Sequence, residues 1–205
     1  MDPIRIAFAT GSSHKLKEVR QILNPKGIEV ISPKDLGLDF QPEETEETFA
    51  GNSLIKSKEL FHQTGIPSLA DDSGICVEAL GGRPGVYSAR YGEPQWTDEE
   101  RTLGLLRELG NSSNRKAFYS CVLSFVTKNG EELFEGLSFG IIANDYDRIG
   151  KNGFGYDPIF IPEGSNLRFS QMEPVAKNSL SHRGRAFQKF LEFLESPKGQ
   201  KFLQD

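Results

Sequence analysis

The sequence predicts an α/β fold, in which a mixed β-sheet is flanked by helices and two lobes surround a central cleft. Three observations predict it. The first 31 residues alternate extended and helical patterns, which is typical of a β-α-β unit. Asn129-Gly130 separates two runs of strand-forming residues and is a strong hairpin signal. Near the C-terminus, Ser181 precedes apolar residues at helical spacing, as an N-cap does.

In the first part of the chain, residues 4–9 show the pattern of a buried strand, residues 15–23 that of a helix, and residues 28–31 an extended pattern. An acidic stretch then precedes a helix predicted over residues 49–62. A short apolar run, residues 66–70, predicts a further strand that ends at two aspartates.

In the second part, Thr97-Asp98-Glu99-Glu100 is a capping box and predicts a helix that ends at Gly110. Residues 117–127 and 133–143 are predicted to be the two strands of the hairpin. The last helix is expected to end before Pro197. We expect one domain over residues 1–205.

The composition is that of an ordinary globular protein, with 37% hydrophobic residues and a formal net charge of −5. This charge argues against a nucleic-acid partner, which a basic face would bind. Cys76 and Cys121 fall in separate predicted strands without metal-ligand spacing, so we expect buried thiols. Because no leader pattern and no long apolar stretch occurs, we expect a cytoplasmic protein without a membrane partner.

The segment Ala70-Asp71-Asp72-Ser73-Gly74 is the most informative motif. Two carboxylates at a strand end are typical of a metal site, and they point to metal-assisted phosphate chemistry. Asp-Asp-Ser-Gly is also good turn chemistry, because these side chains bond their own backbone and glycine tolerates positive φ. Both interpretations remain open on this motif alone.

Three further segments could contact a ligand. Thr10-Gly11-Ser12-Ser13-His14-Lys15 lies between a predicted strand and helix, where backbone N–H groups favour an anion, although a plain helix cap has the same composition. Phe154-Gly155-Tyr156-Asp157-Pro158 could stack an aromatic ring on a nucleobase or simply form a tight turn. Ser181-His182-Arg183-Gly184-Arg185 puts cations where the helix dipole disfavours them, which indicates either an acceptor ligand or a solvated basic patch.

Asn52 and Lys56 lie four residues apart in a predicted helix and therefore share a face. They could point into the same site as the aspartates. A solvent-facing amide and amine would have the same spacing.

Taken in order, these segments, together with Glu43-Glu44-Thr45, residues 81–91 and Lys177, resemble the inosine triphosphate pyrophosphatase family, also called the Ham1 type. The resemblance runs nearly end to end. It implies a two-lobed α/β fold with an elongated mixed sheet and a homodimer. It also implies Mg²⁺-dependent hydrolysis of dITP, ITP and XTP to the monophosphate and pyrophosphate, which clears the nucleotide pool of bases that would be misincorporated.

By the same resemblance, Asp72 would be the catalytic carboxylate and a metal ligand, and Glu44 a second metal-linked carboxylate. The triphosphate would contact Thr10, Gly11, Ser12, Ser13, His14, Lys15 and Lys56. The nucleotide site would be lined by Ser73, Phe154, Gly155, Tyr156, Asp157, Lys177, His182 and Arg183. Ser12 departs from the asparagine usual in the family, and Gly51 from a glutamate.

Two other function classes fit parts of the pattern. A nucleotide sensor could use the same residues without turnover, but adjacent carboxylates would weaken binding of a polyanion. An enzyme of the Maf-like type would act on pyrimidine or methylated nucleotides instead. The products and the preferred base distinguish these alternatives.

Overall fold

The structure, a computed structural model, describes residues 4–204. The strands are β1 (Ile4–Phe8), β2 (Ile28–Ile31), β3 (Ser68–Val77), β4 (Lys116–Thr127), β5 (Gly130–Ile142) and β6 (Phe160–Pro162). The helices are α1 (Ser13–Leu23), α2 (Phe49–Thr64), α3 (Asp98–Leu109), α4 (Pro174–Leu180), α5 (His182–Glu195) and α6 (Pro197–Phe202). Within these described residues, no helix has the length and apolar character needed to cross a bilayer.

The six strands hydrogen-bond in the order β2-β1-β3-β4-β5-β6. β1 pairs in parallel with both β2 and β3, whereas β5 and β6 are antiparallel. The sheet is therefore mixed, and the predicted α/β class is confirmed. The β-α-β unit is confirmed as well, because α1 connects the two parallel strands β1 and β2.

The described residues divide into two compact units. Unit 1 comprises residues 4–72, 122–135 and 186–204, and unit 2 comprises residues 73–121 and 136–185. Both units are discontinuous in sequence, because the chain passes between them more than once. The expectation of one domain over residues 1–205 with a central cleft stays a prediction, and residues 1–3 and 205 lie outside the described chain.

Unit 1 has a core of aromatic rings. Phe125 and Phe134 from the hairpin strands pack against Phe190 of α5, with ring centroids 5.1 and 5.6 Å apart. Phe8 of β1 contacts Phe187 of the same helix edge to face. Edge-to-face rings add attraction to the burial of their area, so these contacts fix α5 on the strands.

Unit 2 has its own core, built around the parts of β3, β4 and β5 that belong to this unit. Fully buried side chains from β3, α3, β6 and the segment before α4 meet there, among them Ile75, Leu105, Phe160 and Phe169. Cys76 is buried on β3, and this burial raises the pKa of its thiol to about 11. Cys121 lies fully buried on β4, so the expectation of two buried thiols is confirmed.

One prediction about β3 is wrong. The strand was expected to end at residue 70, with the aspartates at its end or in a turn, but it continues to Val77. Gly74 explains the difference: a Cβ there would lie 2.2 Å from the carbonyl oxygen of Gly85. Gly74 therefore lets the backbone of Gly85 come close to an extended strand. The interpretation of Asp71-Asp72-Ser73-Gly74 as a turn is wrong.

Candidate active site

Asp71 and Asp72 lie side by side in β3 and are buried, with 1% and 6% of their surface exposed. Consecutive residues of a strand point to opposite faces, and the two carboxylates accordingly pair with different lysines. Asp71 Oδ1 is 3.1 Å from Lys15 Nζ. Asp72 Oδ1 is 3.6 Å from Lys56 Nζ.

The segment between β1 and α1 begins with a cap. Ser12 Oγ accepts a hydrogen bond from the backbone N–H of Lys15 at 3.3 Å, and the N–H of Ser12 donates to Thr10 Oγ1 at 3.1 Å. The cap interpretation of this segment is therefore correct. It leaves the hydroxyl proton of Ser12 able to donate to an anion at the helix N-terminus. Gly11, Ser13 and His14 are exposed beside it.

Helix α2 supplies the other lysine. Thr48 caps its N-terminus by accepting from the N–H of Gly51 at 3.0 Å. Asn52 and Lys56 lie one turn apart on the same face of α2, and both are buried, with 0% and 7% of their surface exposed. Of the two open interpretations, the one in which both side chains point toward the aspartates is confirmed, since both reach Asp72, and the solvent-facing one is wrong.

Asn52 links the acidic loop to β3. Its Oδ1 accepts from the backbone N–H of Glu46 at 2.9 Å, and its Nδ2 donates to the carbonyl of the same residue at 3.0 Å. Nδ2 also makes a long hydrogen bond, 3.4 Å, to Asp72 Oδ2. The loop that contains Glu44 is held in this way without regular secondary structure.

Glu44 and Asp72 converge on one ammonium group. Lys56 Nζ donates to Glu44 Oε1 at 2.7 Å and lies 3.6 Å from Asp72 Oδ1. Burial raises the pKa of Asp72, with Lys56 and Lys15 opposing this effect. Burial alone would lower the pKa of Lys56, but Asp72, Asp71 and Glu44 outweigh it and raise that pKa. Lys56 is therefore charged. In this part of unit 1 the carboxylates of Glu44, Asp71 and Asp72 lie near the ammonium groups of Lys15 and Lys56.

A buried hydroxyl cluster fastens α2 to the same strand. Ser53 Oγ is 3.0 Å from the carbonyl oxygen of Ala70 and 2.8 Å from Ser124 Oγ, which is 2.7 Å from Ser57 Oγ. All three serines are fully buried. Ala70 directly precedes the two aspartates, so the cluster fixes their backbone relative to the lysine helix. Sequence reasoning missed this cluster because serines in separate elements give no local signal.

The remaining predicted residues form a second group, in unit 2. Arg183 donates to Ser73 Oγ at 3.1 Å and lies against the ring of Phe154, its Cζ 5.7 Å from the centroid. Lys177 contacts the same ring, 5.1 Å from its centroid, and pairs with Asp157 at 2.8 Å. Phe154 is thus surrounded by two cations and is only half-buried.

The glycine-rich loop is organised by its own aspartate. Asp157 Oδ2 accepts from the backbone N–H of Phe154 at 2.8 Å, and a Cβ at Gly153 would lie 2.2 Å from that oxygen. Gly155, at φ +58°, accepts from Thr102 Oγ1 through its carbonyl. The buried Tyr156 donates its hydroxyl to the carbonyl of Ser88 at 2.9 Å, and burial raises its pKa. The tight-turn interpretation therefore holds for the backbone, while the stacking of Phe154 on a nucleobase stays a prediction.

His182 and Arg183 begin α5 with 5% and 2% of their surface exposed. The alternative of a solvated basic patch is therefore wrong. Ser181 caps the helix by accepting from the N–H of Gly184 at 3.0 Å, as expected. The imidazole of His182 stacks on Tyr119, a residue that sequence reasoning did not single out because only tertiary packing brings the rings together.

Comparison with known proteins adds the following. The sequence model described as "Ham1 family" matches residues 6–193. A dITP/XTP pyrophosphatase of Leptospira biflexa is 56% identical over 93% of this chain and 96% of its own, and one of Leptospira interrogans is 52% identical over 94% and 98%. A solved structure of a HAM1 protein from Coxiella burnetii superimposes with a TM-score of 0.83 at 36% identity, covering 93% of this chain and 98% of that one.

Proposed function

This chain belongs to the Ham1 family, and we propose that it is a pyrophosphatase that hydrolyses the non-canonical purine nucleoside triphosphates dITP, ITP and XTP to the monophosphate and pyrophosphate. Such an enzyme removes deaminated nucleotides before they are incorporated into DNA or RNA. The structural observation that carries the proposal is the convergence of Glu44 and Asp72 on the ammonium group of Lys56. The dITP/XTP pyrophosphatases at 56% and 52% identity support it.

We assign the triphosphate to the start of α1 and to Lys56. The N-terminus of α1 presents backbone N–H groups and the positive end of its dipole, which favour a phosphate. Thr10, Ser12 and Ser13 add hydroxyl donors, and Lys15 and Lys56 add positive charge. Together these groups offset the charge that develops on the departing pyrophosphate.

Mg²⁺ belongs to the proposal because the donor set suits it. Glu44 and Asp72 offer hard carboxylate oxygens that already converge on one cation, and the Glu44 side chain is 30% exposed. Among residues 4–204 no three His, Cys, Asp or Glu side chains form a complete protein cage, but Mg²⁺ is usually held by one or two carboxylates plus waters and substrate phosphates. When bound, the ion would neutralise phosphate charge.

In the proposed reaction, Asp72 accepts a proton from a water molecule whose oxygen attacks the α-phosphorus. The new bond joins this oxygen to the α-phosphorus, and the bond to the oxygen bridging the α and β phosphates breaks. Pyrophosphate leaves with the electron pair. Asn52 holds the second oxygen of Asp72, so the carboxylate keeps one orientation.

We assign the base to the residues around Phe154 and the start of α5. We propose that His182 and Arg183 donate to the 6-oxo group of hypoxanthine or xanthine, and that the half-buried ring of Phe154 stacks on the base. Adenine would present an amino group to these donors and leave them unpaired, at about 1 to 3 kcal/mol for each group. Guanine also has the 6-oxo group, so its rejection depends on another part of the pocket.

Two further parts of the proposal rest on family likeness and composition. We propose a homodimer, for which the residues between Pro84 and Trp96 offer an exposed aromatic, Tyr87. We also propose a cytoplasmic enzyme without a nucleic-acid or membrane partner, in keeping with the net charge of −5. Light scattering of the purified protein tests the dimer.

The first experiment measures products from dITP, XTP, GTP, ATP and dTTP with and without Mg²⁺. Pyrophosphate from dITP and XTP alone, and only with the metal, is expected. Orthophosphate, a preference for dTTP, or binding without turnover would contradict the proposal in favour of a phosphatase, a Maf-like enzyme or a sensor, respectively.

Asp72→Asn should abolish turnover and leave the thermal unfolding curve cooperative. Asp39→Asn, which removes an exposed carboxylate of the same unit, is the matched control and should be fully active. Near-normal turnover by Asp72→Asn would overturn the assignment.

A further inference from the structure

Tyr119 of β4 and His182 of α5 are stacked almost perfectly parallel. Their ring centroids are 4.4 Å apart and the ring planes differ by 5°. Both residues are buried, with 7% and 5% of their surface exposed. A parallel stack leaves the imidazole free to turn only within its own plane.

The tyrosine ring is itself held firmly. Phe160 contacts it edge to face at 4.9 Å and 77°, and Phe169 lies 6.1 Å away at 36°. Both phenylalanines are fully buried and contact each other at 5.1 Å. Side chains packed this closely occupy one rotamer, so the orientation of the Tyr119 ring is determined by the core of unit 2.

We propose that Tyr119 is a positioning residue that sets base selectivity by fixing the plane of His182; this rests on the function proposed above. The N–H groups of an imidazole lie in the ring plane, and a hydrogen bond weakens steeply as its angle departs from linearity. The plane therefore determines which acceptor positions His182 reaches. A ring free to tilt would serve a 6-oxo and a 6-amino purine more equally.

Arg183 provides the contrast. It is held by Ser73 and by the ring of Phe154, and neither contact involves Tyr119. Loss of the stack should therefore affect one of the two assigned donors and leave the other in place. The expected result is a partial loss of selectivity rather than a loss of binding.

The test measures kcat and KM for dITP and dATP in the wild type, Tyr119→Phe and Tyr119→Leu. Tyr119→Phe keeps the stacking ring and should retain the wild-type ratio of kcat/KM between the substrates. Tyr119→Leu should reduce that ratio by about tenfold, as expected for one badly paired donor. Most of the change should come from KM, because the substitution leaves the groups assigned to the phosphates unchanged.

Phe118→Leu is the matched control. Phe118 is the neighbouring residue of β4, and its ring contacts that of Phe139 in a tilted arrangement with the centroids 5.7 Å apart. The Phe118→Leu variant loses an aromatic ring of similar size. It should keep the wild-type ratio of kcat/KM between dITP and dATP even if its thermal stability falls. An equal loss of selectivity in Phe118→Leu, or an unchanged ratio in a folded Tyr119→Leu, would overturn the inference.

A spectroscopic measurement keeps the inference testable if Tyr119→Leu fails to fold. The chain has only three histidines, so the His182 ring protons can be assigned by comparison with His182→Gln. Stacking should shift these protons upfield in the wild type and in Tyr119→Phe. Unshifted His182 resonances would overturn the inference. Absence of dITP hydrolysis by the wild type would instead contradict the proposed function.

Discussion

Lys15 and Asp71 form an ion pair with very unequal access to water. Their charged atoms are 3.1 Å apart, and the side chain of Asp71 is 1% exposed whereas that of Lys15 is 20% exposed. Asp71 is therefore paired with Lys15 out of contact with water, while Lys15 can also reach solvent. The pair connects the start of α1 to β3, next to Asp72.

Removing the lysine should cost more stability than removing the aspartate. Lys15→Met leaves a carboxylate buried without its nearest cation and should cost about 3 kcal/mol of unfolding free energy. Asp71→Asn leaves a lysine that water can solvate and should cost about 1 kcal/mol. Urea unfolding measures both, with Lys58→Met in the exposed Lys58–Glu131 pair as a control near zero. Equal losses in Lys15→Met and Asp71→Asn would contradict this.

The serine cluster should depend most on its middle member. Ser124 Oγ lies 2.8 Å from Ser53 Oγ, which donates to it or to the carbonyl of Ala70, and 2.7 Å from Ser57 Oγ. Ser57 Oγ also lies 3.2 Å from the carbonyl oxygen of Leu54, so it keeps an acceptor without Ser124. Ser124→Ala therefore removes both hydroxyl–hydroxyl contacts, at about 1 kcal/mol each, whereas Ser57→Ala removes one of them. Thermal unfolding should show the larger loss in Ser124→Ala, and the reverse order would contradict this.

Gly74→Ala should be strongly destabilising, because its Cβ would lie 2.2 Å from the carbonyl oxygen of Gly85 and 2.5 Å from Ser88 Oγ. Ser88 also accepts from the N–H of Ile75, so it has no room to move without losing a buried bond. We expect a loss of about 3 kcal/mol. Gly11→Ala is the control, since a Cβ there has nothing within 4 Å. Equal unfolding midpoints would contradict the close approach.

Acidification should expose the contribution of Asp147. Burial alone would raise the pKa of Asp147, but hydrogen bonds from Ser170 and from the N–H groups of Ile149 and Gly150 outweigh it and lower that pKa. The unfolded chain then binds the proton more readily, so the stabilisation is complete above the ordinary Asp pKa of about 3.9 and is lost as the pH falls below it.

The measurement compares unfolding free energies at pH 7 and pH 3. Asp147→Asn should be less stable than the wild type at pH 7 and lose less on acidification. Asp145→Asn, which removes a neighbouring exposed carboxylate, should keep the pH dependence of the wild type. The same pH dependence in Asp147→Asn and the wild type would refute the assignment.

Features set by neighbouring residues were predicted well. The capping box at Thr97, the Asn129-Gly130 hairpin and the cap at Ser181 are all confirmed, because each depends on a few consecutive residues. The short helices α4 and α6 were missed. Each starts with a proline at its first position, where proline suits a first turn, and Pro197 was taken only as a sign that the preceding helix had ended.

Features set by distant residues were predicted poorly. Gly74 indicated a turn because nothing in the sequence shows that the Gly85 carbonyl packs against it. Lys56 and Asn52 gave only a shared helix face, and their burial against Asp72 required the tertiary structure. The residue types of the site could therefore be read from the sequence, but their pairings could not.

The side-chain amide of Asn52 both donates to and accepts from the peptide groups of Glu46, as the backbone of a neighbouring β-strand would. A single side chain thus does the work of a neighbouring strand for the acidic loop, so the side chains of that loop are free to vary without releasing its backbone. This pair of hydrogen bonds requires an amide side chain, which has both a donor and an acceptor. Aspartate has the same shape but, when ionised, no donor, so one atom exchanged for another would detach the loop and set a further negative charge against Asp72.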